Sequence, residues 1–204
     1  MLGRKIATTA SGASILPPQP DVPTPSILRS LSNVPIASIG TSHSSCHAVF
    51  LSVDGDAYVY GRNESGQCGL PPDASPPLPK QQSESATLTQ PAYTGGSSIW
   101  CPTKLDRRRH FHPPLQVEST EGDLIQAACG RHHTLLVTRA GDIYAAGLAS
   151  SGQLGLGPAQ VSQGQCNTFR KITKAPFVTQ RDPVVQVSCG NQFSLALTAS
   201  GKSE

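Results

Sequence analysis

Cys129, His132 and His133 put one thiol and two imidazoles on five consecutive residues. Such a group could ligate zinc or pair a thiol nucleophile with its base. A zinc centre needs three or four ligands converging on one point, and consecutive strand residues point to opposite faces. The expectation is therefore structural: His47 and His133 bond backbone locally and do not meet, and Cys129 and Cys189 fill small buried spaces. Gly152-Gln-Leu-Gly-Leu-Gly157 is glycine-rich, as phosphate-cradling loops are. Its spacing reverses the dinucleotide fingerprint and no helix pattern follows, so a turn is expected. Lys104-Leu-Asp-Arg-Arg-Arg-His110 is the basic run of the chain, diluted by Asp106. Arg107, Arg108 and Arg109 suit an electrostatic patch for an acidic partner, a phosphate backbone or an import receptor; a solvated loop is the plainer reading. Phe111 alone is too little aromatic surface for base stacking. Arg62, Asn63 and Glu64 form the second candidate interaction group.

No GxSxG elbow, HExxH pair or P-loop occurs, so neither covalent catalysis, a cofactor nor a metal is expected. The six cysteines, Cys46, Cys68, Cys101, Cys129, Cys166 and Cys189, include no CxxC pair. No apolar secretory core follows Arg4 and Lys5, which favours reduced thiols and a nuclear or cytoplasmic setting. The acid-free, Ser/Thr/Ala-rich start leaves a mitochondrial transit peptide as the lesser alternative. The 204 residues carry 16 Lys+Arg and 13 Asp+Glu, a net +3 too small to imply nucleic acid by itself. No apolar run approaches the ~18 residues of a membrane helix, and no small-molecule substrate is expected. Charged residues are 14%, against about 25% in ordinary soluble domains, while Gly and Pro reach 19 and 18. Short strands joined by many turns fit that composition.

Three stretches align with one another: 36–70, 124–157 and 184–204. Superposed on Gly55, Gly141 and Gly201, they bring Val49, Leu135 and Leu195 into one column, and Leu51, Val137 and Leu197 into another. Gly61 meets Gly147, Gly66 meets Gly152, and Gly69 meets Gly155. His47, His133 and Phe193 share a position. Gly130 meets Gly190, and setting Gly40 against them makes the first copy's opening turn four residues longer. Each copy reads as strands, because Leu135 and Val137 alternate with Thr134, Leu136 and Thr138. Asp54-Gly55 between HAVFLSV and AYVYG is a strong hairpin signal, and Gly141 and Gly201 stand in the same place. Strands are expected near 47–53, 57–61, 124–128, 134–138 and 143–147.

The run from Cys129-Gly130 through His133-Thr134, Gly141, Tyr144 and Gly147 to Gly152-Gln153-Leu154-Gly155 resembles the repeat of the regulator of chromosome condensation family. Within it, the order of variants looks most like the mitotic, telophase-disk branch. The resemblance implies a seven-bladed β-propeller, here all-β and partial, with about two and a half blades and a disordered insertion. It also implies a non-catalytic protein-interaction module. Its partner would be a Ras-like small GTPase served by guanine-nucleotide exchange in cell-cycle or chromosome-linked regulation. A scaffold for chromatin, microtubule or ubiquitin-system partners without exchange is the alternative.

The stretch 71–98 is rich in Pro, Ser and Gln and lacks periodicity, as disordered loops do. The organisation expected is a disordered tail 1–23, a first repeat 24–70, an insertion and loop 71–119, a second repeat 120–182 and a truncated third repeat 183–204. Too few units are present to close a seven-bladed ring, so the chain reads as a fragment. Its open strand edges invite pairing between molecules.

Overall fold

The computed structural model describes residues 29–70, 98–157, 161, 164–173 and 182–203. The expected disordered tail 1–23 lies outside the described residues, as does the expected insertion loop 71–98 apart from Ser98. The chain divides into two compact units at Pro35 and Ile36. In the first, Arg29–Leu31 makes a single 3-10 turn, with Val34 N–H donating to the Leu31 carbonyl at 3.0 Å. The second unit holds every strand among the described residues.

The first blade is an antiparallel meander of β1 (Ile36–Gly40), β2 (His47–Ser52), β3 (Ala57–Arg62) and β4 (Ser98–Lys104). Next in the chain, β5 (Phe111–His112) pairs in parallel with the outer strand of the second blade. That blade is the meander β6 (Leu124–Cys129), β7 (His133–Thr138), β8 (Ile143–Leu148) and β9 (Gln165–Lys171). The third is the hairpin β10 (Val184–Cys189) and β11 (Ser194–Thr198), with an isolated antiparallel bridge from Leu197 to Ser203. The all-β, partial-propeller expectation holds. Gly55, Gly141 and Gly201 turn the three inner hairpins with φ of 74°, 85° and 84°, a region that glycine enters without steric strain.

Strand alternation puts two sets of side chains on opposite faces, and each set finds a neighbouring blade. Val49, Leu51, Ala57 and Val59 of the first blade meet Leu124, Leu136, Tyr144 and Ala146 of the second. On the other side, Leu135, Val137, Ile143 and Ala145 meet Val184 and Val187 of the third. Every position of β7 is buried as a result. Phe111 enters the first of these cores, stacked on Phe169 at 5.3 Å and edge-on to Tyr144 at 5.5 Å.

Two boundaries differ from expectation. The first sheet takes its fourth strand, β4, from the 71–119 stretch assigned to insertion and loop, so the first repeat does not end at 70. Pro102 obscures that strand in the sequence. It is tolerated because β4 is an edge strand and the ladder is interrupted between Val59 and Gly61. Secondly, Gly40 is not the counterpart of Gly130. Gly40 pairs with Val49 as Ala128 pairs with Leu135, so the first copy's turn is two residues longer, not four.

Candidate functional site

Antiparallel strands return each loop to one of two ends, and the candidate residues fall at opposite ends. Arg62 ends β3, and Asn63 and Glu64 follow it; Arg107, Arg108 and Arg109 follow β4, beside the β2–β3 turn. Asn63 is fully buried and structural: its amide donates to the Leu70 carbonyl at 2.8 Å and its Oδ1 accepts from Cys68 N–H at 2.9 Å. Arg62 and Glu64 stay in solvent as a loose pair at 3.6 Å.

At the other end Arg107 is a clamp between blades. Its Nε donates to Asp56 Oδ1 at 3.1 Å, and its Nη2 donates to the Asp54 carbonyl and to Asp123 Oδ1, both at 3.0 Å. Asp54 and Asp56 belong to the first blade and Asp123 opens the second, so one guanidinium ties both. Lys104 completes Asp56 at 2.6 Å, and that hydrogen bond raises the Lys104 ammonium above its ordinary range. Lys171 and Asp142 repeat the pair at 2.6 Å in the second blade. Arg108 and Arg109 are exposed, and their side chains make no ion pair among the described residues. Their backbone N–H groups both donate to Asp106 Oδ1, at 2.8 and 3.0 Å, which holds that carboxyl below the usual range. A shallow cleft of about 920 Å³ lies beside them, lined by Asp54, Lys104, Arg108, Val117 and Thr120 among others.

The histidines do not bond locally. His47 Nε2 lies 2.6 Å from the Thr134 hydroxyl on the next blade, and that hydroxyl donates to the Gln67 carbonyl at 2.6 Å. One hydroxyl has one proton, so His47 must donate through Nε2–H and leave Nδ1 bare. Nδ1 is buried and unpartnered, in keeping with a neutral ring; burial, then the neighbouring His133 and His132, lowers its pKa to about 3. The second seam repeats the relay: His133 Nε2 to Ser194 Oγ at 3.0 Å, then Ser194 Oγ to the Gln153 carbonyl at 2.8 Å. A Cβ on Gly130 or Gly190 would run into the ring of His133 or Phe193, which explains those two glycines.

The glycine-rich loops are turns that carry these carbonyls. Gly66 and Gly69, like Gly152 and Gly155, take positive φ, and the Gln67 and Gln153 side chains accept from Ser65 and Ser151 N–H at 2.8 Å. The thiols also cross the seams: Cys129 Sγ donates to the Gly40 carbonyl at 3.2 Å and Cys189 Sγ to the Ala128 carbonyl at 3.5 Å. Burial pushes Cys68 up to about 12 and Cys189 to about 11, and raises Cys129 as well, so these sulfurs are protonated fillers rather than nucleophiles.

The sequence pattern described as regulator of chromosome condensation (RCC1) repeat matches residues 54–137 and 140–197. The chain is 27% identical over 172 residues to "Protein RCC2 homolog" of Xenopus laevis, covering 84% of this chain and 25% of that protein. It is 32% identical over 146 residues to "X-linked retinitis pigmentosa GTPase regulator" of Homo sapiens, covering 70% of this chain and 14% of that one. Among solved structures, Prp20p of Saccharomyces cerevisiae aligns with a TM-score of 0.56 at 27% identity, over 81% of this chain and 31% of that one. Human WBSCR16, at 19% identity and a TM-score of 0.54, shares the fold. The chain thus spans between 14% and 34% of the length of each of these relatives. Two matched repeats, and the glycines, histidines and glutamines that build its seams, make this chain a member of the regulator of chromosome condensation repeat family.

Proposed function

We propose that the chain is a protein-docking module that works without covalent chemistry, and that its partner is a Ras-like small GTPase whose nucleotide release it promotes as part of a larger propeller. The Asp106 clasp carries the docking reading. It fixes the backbone beneath Arg108 and Arg109 while both side chains stay exposed and Arg108 lines the cleft. Cations on a fixed backbone lose little freedom on binding and complement an acidic protein face. The GTPase reading is supported by the relatives, one named a GTPase regulator and one described by its binding to Gsp1p and histones. Exchange of this kind makes and breaks no covalent bond: docking weakens the hold on phosphate and magnesium, and nucleotide leaves. Cell-cycle or chromosome-linked regulation in the nucleus or cytoplasm is the setting that fits.

Calorimetric titration against nucleotide-free and GDP-loaded Ras-like GTPases tests this. Tighter binding to the nucleotide-free form is expected, weakened about tenfold or more by Arg108→Glu with Arg109→Glu. Equal affinity for both forms removes the exchange reading and leaves a scaffold. Insensitivity to the charge reversal removes the assigned surface.

A further inference from the structure

The turn that presents Arg108 and Arg109 is anchored on both sides. Leu105 and Phe111 flank it and are both buried, so the residues between them, 106–110, project from two fixed points. Leu105 N–H donates to the Ala57 carbonyl at 2.8 Å, and Phe169 N–H donates to the His110 carbonyl at 2.9 Å. The two ends of the turn are thereby tied to different blades. Within it, the Asp106 carbonyl accepts from His110 N–H at 3.0 Å, while Asp106 Oδ1 holds the two arginine N–H groups. One contact runs the other way: Asp106 N–H donates to Nδ1 of His110 at 2.8 Å. Reciprocal side-chain bonds of this kind box the start of a helix, where Glu or Gln makes the return bond. Here an imidazole makes it.

A ring nitrogen that accepts a hydrogen bond carries no proton, so neutral His110 has its proton on Nε2. A protonated ring bears hydrogen on both nitrogens, and Nδ1–H would then face the Asp106 N–H. The ring must leave that position, and the Asp106 carboxylate that could take it is already held by the arginine N–H groups. Burial keeps the pKa of His110 below its ordinary value, with Asp106 pulling it up and Arg109 pushing it down. Those two are the charged groups that bear on the ring; β9, which meets the turn at the His110 carbonyl, adds none among the described residues.

We propose that His110 is a positioning residue of the docking surface: its neutral ring locks the 106–110 turn in the form that offers Arg108 and Arg109 to an acidic partner, and its protonation unlocks that turn. The role rests on the docking reading above. The sign of its pH effect separates it from simple attraction. Protonating His110 adds a positive charge beside two arginines, which by Coulomb attraction alone would tighten the hold on an acidic face. Unlocking the turn removes its pre-organisation, so docking weakens as pH falls.

Nuclear magnetic resonance of the whole chain tests the lock without a partner. The His110 ring is expected in the Nε2–H form at pH 7.5, and the Asp106, Arg108 and Arg109 amides are expected to shift together as it titrates. His110→Asn can set a carbonyl oxygen where Nδ1 stood and does not titrate. It is expected to keep the neutral-pH amide shifts and to lose their pH dependence. His110→Ala is expected to lose the lock at every pH, with faster amide exchange at Arg108 and Arg109. A neutral Nδ1–H ring, arginine amides blind to the titration, or an alanine variant with an unchanged turn would each overturn the proposal.

Binding to a nucleotide-free Ras-like GTPase between pH 7.5 and 5.5 reads the consequence. The unmodified chain is expected to bind less tightly at the lower pH, and His110→Asn to follow pH less. His110→Ala is expected to bind about three- to tenfold more weakly at pH 7.5, the worth of one hydrogen bond. Docking that tightens toward low pH, or an asparagine variant with the pH slope of the unmodified chain, would overturn the role. An absence of binding at every pH, with the turn behaving as expected, would overturn the docking reading and not the lock.

Discussion

Leu135 and Leu195 occupy the same position of adjacent blades, yet the first is 2% exposed and the second 51%. Their strands share the sequence pattern and the hairpin glycine. What differs is the neighbour: β10 covers Leu135, and no described strand covers Leu195. Alternation therefore states which face a side chain takes, and the adjoining blade decides whether that face is core. The same contrast separates a seam between two blades from an uncovered blade face.

The contrast is broken most severely at Phe111. It is fully buried between two blades, stacked on Phe169, in a core that the connecting segment after β4 helps to build. Phe111→Ala is expected to destabilise by about 3–5 kcal/mol, through lost transfer energy and the cavity left behind. Leu195→Ala, in dilute solution, is expected to stay within about 0.5 kcal/mol. Urea unfolding of both variants checks the pair. Equal losses would mean that Leu195 is covered in solution in a way the open face does not show.

A smaller effect is expected at Arg107. Removing its guanidinium leaves Asp56 and Asp123 without their shared partner in a poorly solvated place, and charged hydrogen bonds there are worth about 1.5–3 kcal/mol. Arg107→Ala is therefore expected to lower stability by about 2 kcal/mol. Lys171→Ala breaks a more exposed pair within one blade and is expected to lower it by less than about 1 kcal/mol. Thermal unfolding at low and high salt separates them, because salt screens the exposed pair more strongly.

These residues also show what could be read before the structure. The inner hairpins were legible because glycine at a tight turn and two-residue alternation are local signals, and Gly55, Gly141 and Gly201 carry them without interference. The β4 strand was not, since Pro102 contradicts a strand unless its edge position is known. Arg107 read as a member of a basic patch because sequence adjacency to Arg108 and Arg109 hides the acids that reach it from elsewhere, Asp56 and Asp123. The histidines read as local for the same reason: nothing in His47-Ala-Val points to Thr134, although the alternation of Thr134 with Leu135 already placed its hydroxyl on the opposite face. The misplacement of Gly40 came from matching glycine to glycine, where the pairing of Gly40 with Val49 is what counts.

The hydroxyl that joins the relay should matter next. Thr134→Val keeps the shape and removes the acceptor of His47 and the donor to Gln67, leaving two buried groups unpaired. A loss of about 1–3 kcal/mol is expected, the range for stranding buried polar groups. Amide exchange should quicken across β7 and the 62–70 loop together. Exchange that quickens only at residue 134 and its immediate neighbours would mean that the relay does not couple the blades.

The smallest effect near neutrality is one of pH, and its sign follows from the relay. His47 is neutral when folded, with burial lowering its pKa to about 3, while in the unfolded chain it titrates at its ordinary 6.5. Below 6.5 the unfolded state binds a proton that the folded state refuses, so stability falls as pH falls. The contribution is fully present above 6.5 and is lost progressively between 6.5 and about 3. One shifted unit is worth about 1.4 kcal/mol, so going from pH 6.5 to 5.5 is expected to lower stability by about 1 kcal/mol from this residue. His133 is lowered too, chiefly by burial, and adds in the same direction. Carboxylates remain ionised in that interval, which keeps it diagnostic. Gln at position 47 can donate to Thr134 without titrating, so His47→Gln should flatten the slope by about one proton while leaving stability at pH 7.5 little changed. The third blade has Phe193 in the histidine position and meets a titrating ring only through the His133–Ser194 bond, so exchange rates in β11 should follow pH less than those in β7, which carries His133 and the hydroxyl that His47 meets. A pH profile for His47→Gln as steep as that of the unmodified chain would show that His47 is not the group refusing the proton.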